Sequence, residues 1–289
     1  MFSHFAWVYG ANVRNNLLVI AHYHSKLYLC RERFGVDNRT FAKILTPTGA
    51  FAEKFMIYRF DTLTSTNDEA RNPRYKHGDI IVADYQTAGR GQRGNSWSSN
   101  AGQNLMFSIV LQPEDLRASH QFSMLECVAL ALTDTFEVFG IATSIKWTND
   151  IYVGDRKMVG VLIENSLTDG YVSRSIVGIG INVNQTEFDP SLPNPTSMAA
   201  ECGQPFACDE VLNKFYECLT LRLKSLNTED FHNEYCSRLY RKGVEAEYAL
   251  PDGTRFRGRI CDVEPTGALL VDTAEGMRRF LFKEVAFVI

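Results

Sequence analysis

The sequence predicts an α+β protein in which a larger domain of strands and helices is followed by a small β-barrel. Short runs rich in β-branched and aromatic residues recur from residue 57 onwards, as is typical of strands. Two longer segments, 122–139 and 209–226, place apolar residues at helical spacing. After Gly243 the chain changes to short alternating runs separated by turns, which favours a small barrel. We therefore expect an N-terminal extension over 1–55, a main domain over 56–240 and a barrel over 241–289.

The composition is that of an ordinary soluble globular protein, with 289 residues, of which 45% are hydrophobic and 22% charged. The net charge of −4 gives no overall electrostatic case for a nucleic acid or an anionic membrane as a partner. No apolar run reaches the ~18 residues of a membrane span, and the first residues lack the basic and apolar regions of a signal peptide. We therefore expect a cytoplasmic protein that binds neither nucleic acid nor a membrane.

The seven cysteines form no Cys-x-x-Cys pair, and their number is odd. This pattern favours free thiols in a reducing cytosol over a disulfide framework or a zinc site. In the extension, His22 and His24 with Cys30 could suggest a metal. A single His-x-His is a weak signal, however, and we interpret these histidines as packed or solvated. The sequence therefore predicts no metal ligand in the chain.

The N-terminal extension differs from the rest of the chain, because it is mildly basic and aromatic and carries no helix-turn-helix pattern. Its apolar patch, 17–21, fits either a strand or a short helix. We expect an appendage that is poorly ordered or loosely docked on the main domain.

The main domain begins with a predicted strand over 57–60, which a polar segment follows. Thr66 and Glu69 fit a capping box, so a helix should begin near Ser65 or Thr66. Two interpretations stay open at this point. The polar side chains of Ser65, Thr66 and Asn67 either cap the helix or hold a polar group of a ligand at its N-terminus.

A glycine-rich stretch, Gly89-Arg90-Gly91-Gln92-Arg93-Gly94-Asn95-Ser96-Trp97, lies between two predicted core strands, 79–85 and 104–111. It offers bare backbone N–H groups, two positive charges and an aromatic face, which are the parts of a site for a phosphate with a flat ring beside it. The alternative is a mobile surface loop with solvated arginines. We expect the loop over 88–100 to be mobile without a ligand and ordered once an anion is bound, since its arginines have no partner until an anion arrives.

The helix over 122–139 should end at Gly140, and Lys146 follows it between apolar neighbours, just before a polar turn. Lys146 either extends along the surface to water or is a partly buried ammonium held for an anion. Further strands are predicted over 157–164, 171–183, 244–248, 255–260, 267–271 and 279–282, and a further short helix over 231–240.

Three polar segments, taken together and in this order, resemble the biotin protein ligase family. They are Ser65-Thr66-Asn67, Gln86 with the loop from Gly89 to Trp97, and Lys146-Trp147-Thr148-Asn149-Asp150. The segments 160–164 and 178–182 are also similar to strands of that family, and the likeness extends over 57–289. The resemblance implies an α+β fold of the class II synthetase and biotin/lipoate ligase type, with a mixed β-sheet in the catalytic domain and a small C-terminal SH3-like β-barrel.

The activity that the resemblance implies is an ATP-dependent ligation with Mg²⁺, in which biotin is activated as biotinyl-5′-adenylate and passed to a lysine of a carrier domain. Lys146 and Arg90 are the implied catalytic residues. The implied biotin-binding residues are Ser65, Thr66, Asn67, Gln86, Gly89, Arg90, Gly91, Gln92 and Lys146. Nucleotide binding is implied for Arg93, Trp97, Asn149, Asp150 and Asn182.

The expected partner is the biotin carboxyl carrier domain of acetyl-CoA carboxylase or a related carboxylase, and the protein itself is expected to be a monomer or a homodimer.

Two positions depart from the family pattern. Gln92 stands where some members have another arginine, which bears on retention of the adenylate, and Thr148 replaces a proline in the turn that holds Asn149 and Asp150. The alternatives are a lipoate or octanoyl ligase of the same fold and a non-catalytic biotin-sensing regulator.

Overall fold

The computed structural model describes residues 55–226 and 229–289, together with the backbone of four strands in the N-terminal extension. Three of these, β1 (Trp7–Val13), β2 (Asn16–Tyr23) and β3 (Lys26–Arg31), pair antiparallel in that order, so the apolar patch lies in a strand. The fourth is β4 (Ala42–Lys43). The predictions on the order of the extension and on its histidines and Cys30 concern residues and side chains outside the described part.

The main sheet confirms the predicted α+β class with a mixed sheet. It contains β4, β5 (Ile57–Leu63), β6 (Ile80–Gln86), β7 (Leu105–Leu111), β8 (Ser144–Lys146), β9 (Asp150–Val153), β10 (Arg156–Thr168) and β11 (Tyr171–Ile181). Their order across the sheet is β4-β5-β6-β7-β11-β10-β9-β8. The sheet is mixed because β5 and β6 are parallel, whereas the other neighbours pair antiparallel.

Among the residues that the structure describes, five α-helices accompany the sheet: α1 (Thr66–Ala70), α2 (Phe122–Val138), α3 (Met198–Cys202), α4 (Cys208–Leu223) and α5 (Glu229–Ser237). The core helix α2 ends as predicted, since Gly140 adopts a φ of +75° that favours glycine. The short helix α3 was not predicted. In the described part of the chain, no helix is both long enough and apolar enough to cross a membrane.

The predicted capping box at the start of α1 does not form. Thr66 is the first helical residue, so Ser65 occupies the N-cap position, and its side chain makes no capping hydrogen bond. The Ser65 hydroxyl is therefore not committed to the helix. Of the two interpretations that the sequence left open, this favours a ligand-holding role for Ser65.

The alternating runs after Gly243 form strands, as predicted. These strands are β12 (Glu245–Ala249), β13 (Arg255–Val263), β14 (Leu269–Thr273), β15 (Gly276–Phe280) and β16 (Ala286–Phe287). These strands form an antiparallel sheet in the order β15-β14-β13-β12-β16. The Trp147 indole donates a hydrogen bond of 3.0 Å to the Gly267 carbonyl, and the Phe122 ring packs under Gly267. These contacts fix the C-terminal sheet beside the turn between β8 and β9.

Candidate active site

A cleft of about 390 Å³ lies where α1, the loop 89–97, the turn between β8 and β9 and the C-terminal sheet meet. The structure brings most of the predicted site residues into it. The predicted residues that line the cleft are Ser65, Thr66, Asn67, Gln86, Arg90, Gly91, Gln92, Trp97, Lys146, Asn149 and Asp150. Side chains from three segments far apart in the sequence therefore share one cavity.

The N-terminus of α1 is held in place by side chains of neighbouring strands. Gln86 accepts a hydrogen bond of 2.7 Å from the Thr66 backbone N–H, which has no partner within the helix. The Ser108 hydroxyl lies 2.8 Å from the Thr66 hydroxyl and donates to Asn67 Oδ1 at 2.7 Å. Gln86, Thr66 and Asn67 thus form a rigid wall of the cleft, and the Ser65 hydroxyl is the uncommitted polar group of that wall.

Arg90 differs from its prediction, because carboxylates of the protein itself already pair with it. Its guanidinium lies 2.6 Å from Asp68 Oδ1 and 2.7 Å from Glu164 Oε1. Glu164 in turn accepts from Asn67 Nδ2 at 2.9 Å and from Arg71 at 2.7 Å. The carboxylates of Glu164 and Asp68 hold the side chain of Arg90 at the edge of the cleft, so a ligand anion must compete with them for it.

The loop itself closes as a compact turn. The Gly91 N–H donates to the Asn95 carbonyl at 2.7 Å, and the Trp97 N–H donates to the Gly89 carbonyl at 2.9 Å. A Cβ at Gly89 would lie under 3.0 Å from the Trp97 backbone, so this close approach requires a glycine. Gly89 does not line the cleft in this structure, and its contribution is to the closure of the loop.

Glycines on β10 and β11 make room for Trp97 and Asn67. A Cβ at Gly160 or Gly180 would meet the Trp97 ring under 3.0 Å, and one at Gly178 would meet the Asn67 amide equally closely. The Trp97 indole nitrogen and Gln92 Oε1 are buried without a hydrogen-bond partner among the described residues. Buried polar atoms without partners are rare in native proteins. These two unpartnered atoms therefore fit a site in which a polar ligand supplies the missing hydrogen bonds.

Lys146 is half-buried at the other end of the cleft, with its ammonium 5.1 Å from the ring centre of Tyr152 and 5.3 Å from that of Phe287. Burial lowers the pKa of Lys146, and the nearby Asp150 carboxylate partly opposes this. In the described part of the chain, Lys146 makes no ion pair. The geometry matches the predicted partly buried ammonium and excludes a surface lysine extended into water.

The turn after Lys146 is held by its own side chains. The Thr148 hydroxyl donates to Asn149 Oδ1 at 3.0 Å, and Asn149 Nδ2 donates to the Val161 carbonyl. The Tyr235 hydroxyl donates to the Thr148 carbonyl at 3.1 Å, and the peptide bond between Trp147 and Thr148 is cis. Threonine at this position therefore takes part in a hydrogen-bonded turn. The Asn149 amide is engaged in that turn, which differs from its predicted role toward the nucleotide.

Asp150 supplies the one carboxylate among the described residues that line the cleft, and it pairs with Lys157 at 2.7 Å. Mg²⁺ is usually held by one or two carboxylates together with substrate phosphates. Asp150 fits such a position, whereas the engaged amide of Asn149 does not. Lys157, which the sequence interpretation missed, adds a second ammonium to the cleft.

A further predicted residue, Asn182, does not line the cleft. Asn182 is buried, and its side chain donates to the Thr196 carbonyl at 2.9 Å, so it anchors the segment that follows β11. The side chain of Arg93 lies outside the described part of the chain. Other lining residues that the sequence interpretation did not assign are Lys157, Gly160, Gly178, Gly180, Asn95, Ser96, Phe282 and Phe287.

Comparison with known families supports the fold and the kind of site. Residues 57–182 match the profile of the Biotin/lipoate A/B protein ligase family. The bifunctional ligase/repressor BirA of Bacillus subtilis is 32% identical over 246 residues, covering 80% of this chain and 73% of that protein. The biotin–[acetyl-CoA-carboxylase] ligase of Paracoccus denitrificans is 29% identical, covering 80% of this chain and 99% of that protein.

Among solved structures, the biotin protein ligase of Aquifex aeolicus in complex with biotin and ATP is similar to this chain. The TM-score is 0.68 at 27% sequence identity, over 80% of this chain and 98% of that one.

Proposed function

Because this chain is a ligase that belongs to the biotin/lipoate A/B protein ligase family, we propose that it activates biotin with ATP and transfers it to a lysine of a carrier domain. The first step would join a biotin carboxylate oxygen to the α-phosphorus of ATP, breaking the bond to the β-phosphate and releasing pyrophosphate. In the second step, a carrier lysine would attack the acyl carbon, lose a proton and displace AMP. The products are biotinyl-lysine and AMP.

The observation that carries this proposal is the position of Lys146. Its half-buried ammonium has no ion pair among the described residues, and it shares a cleft with the α1 N-terminus and the Gly/Arg loop. A carboxylate and a phosphate that must meet repel each other, so a fixed positive charge between them lowers the barrier. A compact ammonium against two aromatic rings is suited to that task.

The biotin end would lie against the α1 wall. The Ser65 hydroxyl is available for the ureido or carboxylate oxygens of biotin, while Gln86 keeps the backbone of α1 in place. Gly178 leaves room for the Asn67 side chain on β11. The aromatic ring of Trp97 and the main sheet would cover the apolar rings of biotin.

The nucleotide end would lie toward Asp150 and Lys157. Phosphate-bound Mg²⁺ would neutralise charge there, and Asp150 would supply a carboxylate ligand to it. Lys157 would supply an ammonium to the phosphates once it leaves its pair with Asp150, which lies 2.7 Å away. The unpartnered Trp97 indole and Gln92 carbonyl oxygen would find their hydrogen bonds with the ligand. A mixed anhydride hydrolyses in water, so closure of the loop over it would also protect it.

The proposed function is tested by incubating the full chain with ATP, biotin and an acetyl-CoA carboxylase carrier domain, and measuring the carrier by mass spectrometry. We expect one biotinyl group on one lysine. Parallel reactions contain lipoate in place of biotin, and a DNA shift assay accompanies them. Transfer of lipoate alone would replace the proposal by a lipoyl ligase. Biotin binding without any transfer would replace it by a biotin-sensing regulator.

We predict that a chain starting at Met56 keeps most of this ligase activity. The reason is that every described residue lining the cleft lies after that position. The measurement compares initial rates of carrier biotinylation by the full and shortened chains. Circular dichroism and gel filtration establish that the shortened chain is folded. A folded but inactive shortened chain would show that the extension takes part in the site.

Arg90→Ala should release the adenylate roughly 10- to 100-fold faster, since hydrogen bonds to charged groups contribute about 1.5–3 kcal/mol. The measurement is the rate at which labelled biotinyl-adenylate leaves the protein after excess unlabelled biotin and ATP are added. Arg71→Ala is the matched control, because Arg71 pairs with the same Glu164 at 2.7 Å but does not line the cleft. Equal effects of the two substitutions would assign Arg90 to the carboxylate network alone.

A further inference from the structure

A second cavity, of about 600 Å³, lies between α2, α5 and the turn that follows β13. It shares no lining residue with the cleft described above. Its residues include Glu126, His232 and Pro265, which come from the two helices and that turn. The cavity gives small ions and solvent access to His232, a side chain that the proposed ligase reaction does not use.

Three potential metal ligands meet beside this cavity. His232 and Cys236 are four positions apart on α5, so they lie on one face of the helix. Asp262 comes from the end of β13. One donor atom of each residue lies within 4.8 Å of the others, and Cys236 Sγ is 3.6 Å from His232 Nε2. This group was not predicted from the sequence, because Asp262 lies far from α5 along the chain and only the fold brings them together.

The spacing agrees with a tetrahedral ion. A zinc ion binds histidine nitrogen at about 2.0–2.1 Å and cysteine sulfur at about 2.3 Å, which places these two atoms roughly 3.6 Å apart at the tetrahedral angle. The observed separation of Sγ and Nε2 is 3.6 Å. The Asp262 side chain is 53% exposed, so its carboxylate can turn toward an ion at little cost. Three ligands leave a fourth position for water or the Val263 carbonyl.

The histidine is oriented as metal-binding histidines usually are. Glu126, which is buried, lies 2.6 Å from His232 Nδ1, and this contact leaves Nε2 on the side of the Val263 carbonyl, at 2.8 Å, and of Cys236 Sγ, at 3.6 Å. A carboxylate on the second ring nitrogen is the usual outer partner of a ligating histidine, and its loss typically lowers metal affinity roughly 10- to 100-fold. Glu126 therefore supplies the outer carboxylate partner that a ligating histidine usually has.

Without an ion, other contacts occupy these groups. His232 Nε2 lies 2.8 Å from the Val263 carbonyl, and Lys242 lies 3.4 Å from Asp262. Burial, together with a hydrogen bond to Asp262, raises the pKa of the Cys236 thiol to about 12. Binding of a divalent ion would displace the thiol proton to solvent, form the bond to Sγ, and replace the contact between Nε2 and the carbonyl.

We propose that His232, Cys236 and Asp262 form a binding site for a divalent transition-metal ion, zinc above all, which joins α5 to β13. The ion would link a helix of the main domain to the C-terminal sheet by coordination to both. Cysteine and histidine together favour zinc over magnesium or calcium, which prefer oxygen ligands. The site is separate from Asp150 and from the proposed Mg²⁺ position.

The test uses the full chain, freed of metal by a chelator and kept reduced, with Co²⁺ as the spectroscopic probe. We expect one equivalent of Co²⁺ to produce a thiolate-to-metal charge-transfer absorption and the visible bands of tetrahedral cobalt. Zn²⁺ should abolish both by displacement. Cys236→Ser should remove the charge-transfer absorption, whereas Cys261→Ser should keep it. Cys261 is the matched control because it lies on β13 next to Asp262 but outside the cluster.

Two further variants keep the proposal testable if Cys236→Ser fails to fold. Glu126→Gln should weaken Co²⁺ binding roughly 10- to 100-fold while leaving all three ligands in place. Asp262→Asn, on an exposed side chain, should weaken it as well. The proposal is overturned if the folded chain shows no thiolate charge-transfer absorption, or if Cys236→Ser keeps it. Unchanged affinity in both Glu126→Gln and Asp262→Asn would also overturn it.

Discussion

Replacing Lys146 by alanine should slow adenylate formation ~10²–10³-fold at saturating biotin and ATP, because one well-placed donor at a centre of developing charge contributes about 2.7–4 kcal/mol. The ammonium lies between the rings of Tyr152 and Phe287, where no described residue pairs with it. The measurement is single-turnover release of pyrophosphate. Binding of biotin itself should change far less than the rate.

The control for Lys146→Ala is Lys214→Ala, which removes a lysine that pairs with Glu217 outside the cleft. Lys146→Arg should rescue only part of the rate, because a planar guanidinium does not replace a compact ammonium. Normal pyrophosphate release by a folded Lys146→Ala protein would remove this lysine from the mechanism.

The pH dependence of adenylate formation follows from the same burial. Since burial lowers the pKa of Lys146 below its ordinary 10.5, the ammonium is present at low pH and is lost as pH rises through the lowered pKa. Adenylate formation should therefore decline on the alkaline side before an ordinary lysine would titrate. Lys146→Arg should lack this decline, because arginine stays charged.

Gly178→Ala should weaken biotin binding roughly 10- to 100-fold with the main sheet still folded. The new Cβ would lie under 3.0 Å from the Asn67 amide, so that side chain must leave its hydrogen bonds to Ser108 and Glu164. Disruption of buried hydrogen bonds costs about 1–3 kcal/mol each. Isothermal titration with biotin measures the loss.

The matched control for Gly178→Ala is Gly258→Ala on β13. Its Cβ would also lie under 3.0 Å from a neighbour, the Val271 side chain, but far from the cleft. It should lower stability without changing the affinity for biotin of the folded protein. In an Asn67→Ala background, Gly178→Ala should have little further effect, since the clash is gone. Additive losses in the double variant would contradict this account.

Local patterns predicted most of the fold, because each element depends on nearby residues. The apolar spacing of α2 and its stop at Gly140 are visible in any window of that segment. The short helix α3 escaped prediction, since five residues carry too little periodicity. The start of α1 at Thr66 agrees with the prediction of a helix that begins near Ser65 or Thr66, but the predicted capping box does not form, because Ser65 rather than Thr66 occupies the N-cap position.

Most residues that line the cleft could be predicted from the sequence, but the hydrogen bonds and ion pairs between them could not. Lys146, Arg90 and the loop stand out by residue type, whereas the partner of Arg90 depends on the register of β10, which brings Glu164 to α1. Lys157 was missed because its charge looks like that of any lysine beside a turn. The alternating glycines at 178 and 180 were the available signal for a crowded strand surface, since glycine inside a strand often marks a close approach.

If Lys146 acts in catalysis as we propose, its aromatic surroundings make the activity depend on two regions of the chain of very different size. Tyr152 belongs to the main sheet, whereas Phe287 belongs to the edge strand of the C-terminal sheet. If that small sheet opened locally while the main sheet kept its structure, Lys146 would be hydrated and its charge would be shielded by water. Enzymatic activity is then a reporter of this local opening, and inactivation can precede any loss of global structure. A mild denaturant, or a substitution that destabilises the C-terminal sheet, would then abolish the ligase activity while spectroscopy still shows a folded main sheet.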